Sequence, residues 1–368
     1  MLADAESDAL HARVRALVAA FQEGREGPEP FDALAVDIAR FQAERVPGIA
    51  RLHRAAQRDP RALRAAHEIP AVPTDAFKHV RIATFHTWPG ETVFRTSGTT
   101  LAVRGTHAFR TTDTYDAAAL AFGAHALFAG LSEPPAAVVL APPRHEAPDS
   151  SLGHMMQRFV EALTSTPPGE RTHFVSGDAI DHDALEARLD ALVAEGRPVV
   201  VLGTSFAFVH WLDARTRGAT PLPPGSRVMQ TGGTKGKSRE VSPGELRSRL
   251  ASALGVGEGS VVSEYGMTEL SSQFYEGTLL GTSEGVHVEP PWARVVPVHP
   301  ETLAPVPFGE EGLARIEDLA NVDSAVAIQT QDVVVRVEGG FRLLGRAKGA
   351  PPRGCSIAID ELLARGET

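Results

Sequence analysis

The chain has a single cysteine among 368 residues. One thiol cannot close an internal disulfide, so no disulfide framework holds the fold, and this fits a reducing cytoplasm. No apolar run approaches the roughly 18 residues that would span a bilayer, so no membrane span is expected. The first residues, Met1 to Glu6, are acidic. They lack the basic leader and apolar stretch of a secretory signal. Positive charge is in deficit: 36 Lys and Arg against 46 Asp and Glu leave a formal charge of -10. That balance argues against non-specific binding of nucleic acid. There is no internal repeat and no low-complexity segment.

What is present is ordinary for a globular protein, 43% hydrophobic and 22% charged, in a chain long enough for one large domain or two. Leu10, Val14, Leu17, Val18 and Phe21 recur at helical spacing, as do Phe31, Leu34, Ile38 and Phe41. Gly27-Pro28 separates these two helices and Pro47-Gly48 ends the second. Arg51, Arg54, Arg58, Arg61 and Arg64 follow, with Pro60 interrupting any continuous helix. They read as a solvated basic face or as a docking surface for an acidic partner. From Ile69 the texture becomes α/β, with Ala136–Leu140 and Val199–Leu202 as buried strands and an amphipathic helix over 184–194. After Gly285 short β-rich pieces (286–288, 293–298, 333–337) predict a smaller barrel or meander, with Gly339-Gly340 as a hairpin turn. The expected divisions are a helical segment 1–69, an α/β core 70–285, a β-rich part 286–346 and a tail 347–368.

Four segments can carry chemistry. Thr96-Ser97-Gly98-Thr99-Thr100 follows the strand-like Thr92-Val93-Phe94 and offers hydroxyls and successive backbone N–H groups, an anion cradle or a plain turn. Thr231-Gly232-Gly233-Thr234-Lys235-Gly236-Lys237 invites a P-loop reading, but Gly232 and Gly236 enclose three residues where that motif needs four. Its glycines can instead form a floor under a flat base, and Lys235 and Lys237 either meet phosphates or project into solvent. Glu264-Tyr265-Gly266-Met267-Thr268-Glu269 follows a β-like run. Tyr265 offers a stacking surface, Gly266 admits close approach, and Glu269 is a hard oxygen ligand suited to Mg²⁺; the alternative is an ordinary strand-to-helix turn. Asp332, read at a strand start, either caps a turn or chelates a ribose diol.

These elements, in this order, resemble the adenylate-forming superfamily of acyl-CoA synthetases and related ligases, from about Pro70 to Arg346. The resemblance implies a large-domain-type α/β fold with α/β subdomains, a small β-barrel-like part and a helical N-terminus. It implies ATP and Mg²⁺ as cofactors. Thr96–Thr100 matches the phosphate loop, Tyr265, Gly266 and Thr268 with Glu269 the adenine and magnesium motif, Gly232 and Gly233 the adenine floor, Asp332 the ribose ligand and Gly345-Arg346 the hinge. Where the family's phosphate loop continues with Gly and Lys, this chain reads Leu101-Ala102-Val103-Arg104-Gly105, leaving Arg104, Lys235 or Lys237 to supply the charge. The sequence ends 22 residues after Arg346, so no full mobile C-terminal domain, which carries the adenylation lysine, is expected; Lys348 is the nearest substitute.

With Val72-Pro73-Thr74-Asp75-Ala76-Phe77-Lys78 early and Arg353-Gly354-Cys355-Ser356 late, the chain resembles the LuxE-type acyl-protein synthetases. That family adenylates a carboxylic acid, typically fatty, loads it on its own C-terminal cysteine and hands it to an acyl reductase. Cys355 occupies that place. Arg346, Lys348 and Arg353 nearby favour its thiolate, and ten residues from Gly345 give an extended reach of roughly 33–36 Å. Gly203 to His210, with Phe206, Phe208 and His210, reads as an acyl-pocket wall or an interior helix start. Two other functions stay open: transfer of the acyl group to CoA, an amine or a carrier protein, and a nucleotide-binding subunit without catalysis.

Overall fold

The structure, a computed structural model, describes residues 4–96, 103–232 and 241–347. The chain forms two compact units built from interleaved segments. One takes the residues up to Ala121, Met267–Gln273 and those from Glu289 on; the other takes Phe122–Gly266 and Phe274–Val288.

The first unit opens with helices α1 (Ala5–Gln22), α2 (Phe31–Arg45) and α3 (Pro47–Ala55). The apolar positions seen in sequence, Leu10, Val14, Leu17 and Val18 on α1 and Leu34, Ile38 and Phe41 on α2, are all buried. Asp4 caps α1 by accepting from the Ser7 amide, and Pro47 opens α3 at a first-turn position where its missing N–H costs nothing. The helix ends at Ala55, before Pro60, and Arg54, Arg58, Arg61 and Arg64 are exposed beyond or beside it. Strand β1 (Val72–Pro73) follows, then the hairpin of β2 (Thr92–Arg95) and β3 (Thr106–Phe109), with Phe94 and Phe109 packed at 5.3 Å. Helix α4 (Asp113–Ala126) comes next.

The second unit is a doubly covered sheet. Its elements are β4 (Ala136–Leu140), α5 (Ser151–Leu163), a small hairpin β5 (Val175–Ser176) and β6 (Ala179–Ile180), and α6 (His182–Glu195). Then come β7 (Val199–Thr204), α7 (Ser205–Ala214), β8 (Arg227–Thr231), α8 (Pro243–Leu254), β9 (Val261–Tyr265), β10 (Phe274–Glu276) and β11 (Val286–Val288). β4, β7, β8 and β9 pair in parallel in that order, and β10 and β11 continue antiparallel. The runs Ala136–Leu140 and Val199–Leu202 are buried at every position, as parallel strands covered on both faces must be. Leu185, Leu189 and Leu192 of α6, Phe208 and Trp211 of α7, and Leu246 and Leu250 of α8 close over them. Each crossover helix starts on a side-chain cap: Asp181 for α6, Thr204 for α7, Ser242 for α8.

The first unit resumes with β12 (Ala293–Val298), β13 (Glu311–Asp318), β14 (Ala327–Val337) and β15 (Gly340–Arg346). These form an antiparallel meander, with β1 added in parallel to β14 through Val72 opposite Ile328. Of the two forms expected for the β-rich part, the meander is the one observed. Gly339-Gly340 turns β14 into β15 as the sequence predicts. Among the described residues no helix is long and apolar enough to cross a membrane.

Candidate active site

In the first unit the hairpin of β2 and β3 is closed at its loop end by a reciprocal pair. The Thr96 amide donates to the Gly105 carbonyl at 3.0 Å, and the Gly105 amide donates to Thr96 Oγ1 at 2.9 Å. Arg104 reinforces this closure, its guanidinium donating to the carbonyls of Thr96 at 2.7 Å and Arg95 at 3.3 Å. Ser97, Gly98, Thr99 and Thr100 lie outside the described residues, as do Gly233, Lys235, Lys237, Lys348 and Cys355.

Thr268 and Glu269 form a turn that leads to an extended segment and not to a helix. The Glu269 carboxyl is buried, 7% exposed, and burial pushes its pKa up to about 7. Lys78 and Arg346 favour its ionised form and Asp75 opposes it. These neighbours come from far along the sequence. Asp75 accepts from Gln331 Nε2 at 2.8 Å and pairs with Lys78 at 2.6 Å. Asp332 lies inside β14, not at a strand start, and is the cross-strand partner of Arg346 on β15. The expected ribose and hinge residues are therefore adjacent, and the 72–78 segment sits beside both through the β1–β14 pairing and the Gln331 bond. Sequence reading noted that segment without giving Asp75 or Lys78 a role.

The turn is fastened from behind by residues that sequence reading missed. His107 on β3 bonds the Thr268 carbonyl, Asn321 Nδ2 donates to the Glu269 carbonyl at 3.0 Å, and Asp318 accepts both the Ser271 and Ser272 amides at 2.9 Å. Asp318 is fully buried and burial raises its pKa against the four hydrogen bonds it receives. An isolated His or Asn in sequence carries no signal of such a role; only the β13–β14 connection brings them together.

In the second unit the ends of β8 and β9 lie side by side, Thr231 opposite Glu264. The Thr231 hydroxyl donates to the Glu264 carboxyl, whose pKa burial pushes up to about 7. Gly232 takes φ +76°, a left-handed conformation that favours glycine, and a Cβ there would meet nothing within 4 Å. Its carbonyl accepts from Ser205 Oγ at 2.7 Å. An open face over a fixed glycine is what a flat ring can rest on. Tyr265 ends β9 with its ring 6.0 Å from Phe274 and 6.4 Å from His287; it is 7% exposed, and Gly266 after it is half-buried. The expected acyl-wall residues are divided by helix α7. Phe206 and His210 pack at 4.4 Å with tilted rings on one side, while Phe208 is turned into the core against Gly203, so no single wall contains all three.

No family model matches the chain. It is 24% identical over 307 residues to the long-chain-fatty-acid–luciferin-component ligase of Vibrio harveyi, an alignment covering 80% of this chain and 78% of that one. Among solved structures it is similar to 2-hydroxyisobutyryl-CoA ligase in complex with 2-HIB-AMP and CoA in an open conformation (TM-score 0.58, 17% identity, 86% of this chain and 69% of that chain). It is also similar to the same ligase in its postadenylation state with 2-HIB-AMP (TM-score 0.58, 19% identity, 86% and 67%). The chain thus resembles that luciferin-component ligase in sequence and shares the fold of the 2-hydroxyisobutyryl-CoA ligase.

Proposed function

We propose that this protein activates a carboxylic acid with ATP and transfers the acyl group to its own Cys355. The acid's carboxylate oxygen attacks the α-phosphorus of ATP, the bond from that phosphorus to the bridging oxygen breaks, and pyrophosphate leaves with the electron pair. The Cys355 thiolate then attacks the carbonyl carbon of the acyl-adenylate, the carbon–oxygen bond to phosphate breaks, and AMP leaves. The observation that carries this reading is the buried Glu269 carboxyl on a turn fixed by His107, Asn321 and Asp318, with Asp332 and Arg346 paired on neighbouring strands.

Magnesium fits this arrangement. Among the described residues no group of three or more His, Cys, Asp or Glu is placed to hold a metal. Mg²⁺ on a nucleotide needs no such cage, since one or two carboxylates and substrate phosphates suffice. Glu269 would hold it, and the ion would supply neutralisation of phosphate charge. Thr96 to Thr100 bind phosphates in this reading, with Thr268 beside the metal ligand. Gly232, Gly233, Tyr265 and Gly266 hold the adenine, Asp332 the ribose diol, and Arg346 and Lys348 add positive charge where anions gather. Phe206 and His210, the exposed side of α7, are the part of the predicted acyl wall still available to substrate.

The relative's name supports a long-chain fatty acid as the substrate class; an acyl reductase that releases the aldehyde is the acceptor consistent with a thioester on Cys355. A cysteine that must stay reduced to accept the acyl group is consistent with a reducing cytoplasm. The test is carboxylate-dependent exchange of labelled pyrophosphate into ATP, followed by mass spectrometry of protein incubated with Mg²⁺, ATP and a panel of acids. Exchange together with an acyl adduct that Cys355→Ser abolishes supports the reading. Exchange with no adduct assigns the acyl group to CoA, an amine or a carrier instead. Absence of exchange with every acid leaves a nucleotide-binding subunit.

A further inference from the structure

His107 is 1% exposed and bonded on both ring nitrogens. Nδ1 lies 2.8 Å from the Thr268 carbonyl oxygen, and Nε2 lies 2.8 Å from Ser324 Oγ. A carbonyl only accepts, so Nδ1 carries the proton; the neutral ring then accepts at Nε2 from the Ser324 hydroxyl. Burial favours that neutral state, pushing the ring's pKa down to about 4. The ring is wedged between Phe109 at 4.1 Å and Phe77 at 5.7 Å, which leaves it no second orientation.

The position on β3 gives this bond its consequence. His107 is two residues from Gly105, which closes the loop end of the β2–β3 hairpin against Thr96. Through the Thr268 carbonyl the same ring grips the turn that carries Glu269. One imidazole thus spans the strand that ends the Thr96–Gly105 clasp and the backbone of the acidic motif. We propose that His107 is a positioning residue for adenylation: its Nδ1–H fixes the Thr268-Glu269 turn relative to the β2–β3 hairpin, with Ser324 donating to Nε2 and anchoring the far side of the ring. The inference rests on the ATP reading above. The ring touches no reacting atom, and its contribution is to hold the metal ligand and the hairpin at a constant separation. A displacement of about 1 Å in such a constellation can cost roughly a hundredfold in rate.

The test compares His107→Phe, His107→Asn and Ser324→Ala with the wild-type chain. Asn keeps a donor near the Nδ1 position; Phe keeps the volume and loses the donor. His107→Phe is expected to lower pyrophosphate exchange by roughly ten- to a hundredfold. Its KM for Mg·ATP rises while its KM for the acid stays within about twofold, as for a displaced metal turn without loss of the acid site. In the metal-free protein, hydrogen exchange of the Met267–Gln273 amides quickens with His107→Phe, and Mn²⁺·ATP binding followed by electron paramagnetic resonance weakens. His107→Asn recovers most of both, and Ser324→Ala falls between. A merely structural role would lower the folded fraction and leave the Mg·ATP dependence of the folded enzyme unmoved. Wild-type exchange with unchanged kinetics, hydrogen exchange and Mn²⁺·ATP binding in His107→Phe overturns the inference and leaves the ATP reading standing. A wild-type chain that exchanges no pyrophosphate overturns that reading, and the positioning role with it.

Discussion

Two carboxyls of one motif, Glu264 and Glu269, are both buried deeply enough to hold their protons up to about pH 7. For Glu264 the consequence is a pH-dependent stability. Its folded pKa is raised from 4.5, so the folded state is favoured below 4.5 and that advantage is lost as pH rises through about 7. A shift of this size corresponds to about 3 kcal/mol between the two protonation states. Glu264→Gln keeps an acceptor for Thr231 and cannot ionise. It should match the wild type at pH 4.5 and exceed it in urea-unfolding stability at pH 8.5, and equal stabilities at both pH values would contradict the burial argument. Glu269→Gln removes the proposed metal ligand without removing volume. It should cut pyrophosphate exchange by roughly a hundredfold or more while leaving the thermal midpoint of the metal-free protein unchanged or raised. A variant that exchanges at the wild-type rate would assign the metal elsewhere.

At the scale of elements, the crossover helices of the second unit end in different surroundings. Both α6 and α8 stop on a left-handed glycine, Gly196 with φ +68° and Gly255 with φ +61°. A Cβ on Gly196 would enter open space, whereas one on Gly255 would meet the Pro221 Cα at 2.7 Å. Gly196→Ala should therefore cost about 1 kcal/mol, the conformational term alone. Gly255→Ala should cost distinctly more because backbone must move. Denaturant midpoints of the two variants measure the difference, and equal losses would refute the packing part. α8 and β10 are joined by a buried ion pair in which Glu276, fully buried, accepts from Arg247 and also from the amides of Ser263 and Gly285. Arg247→Met leaves that carboxylate without its cation, which in such settings costs about 3–5 kcal/mol.

For the whole molecule, titrations of opposite sign meet between pH 7 and 4, the raised carboxyls Glu264 and Glu269 against two buried histidines. His107 and His287 are both held neutral by burial, with pKa values pushed down from 6.5 to about 4. In the unfolded chain they take up protons first, so their contribution to stability is intact above 6.5 and falls as pH drops from there toward 4. Asp323 acts later. Burial raises its pKa, but hydrogen bonds from His11, Ser7 and Thr84 outweigh this and hold it near 2, so its contribution is lost as pH falls from 3.8 toward 2. That carboxylate joins α1, the segment before β2 and the β13–β14 connection. In urea unfolding from pH 8 to 4, His107→Asn should gain stability relative to the wild type as pH falls below 6.5, since it lacks the His107 penalty. A constant difference between the two proteins over this range would mean the His107 ring is accessible to protons in the folded state.

The sequence alone reaches the helices of the N-terminus, the buried strands around 136–140 and 199–202, the β-rich segments after 286 and the resemblance to an acyl ligase. Each of these is a local pattern: an apolar period, a run of β-branched residues, or a short motif whose glycines and acids must be contiguous to work. The partners of those motifs are not local. Asp75 reaches Gln331 across 256 positions, His107 reaches Thr268 across 161, and Asp332 faces Arg346 through strand register. The division of α7, with Phe208 inward and Phe206 and His210 outward, is likewise settled by the sheet it covers. Backbone carbonyls and buried neutral rings leave no pattern along a chain, because their meaning lies in what the folded sheet sets opposite them.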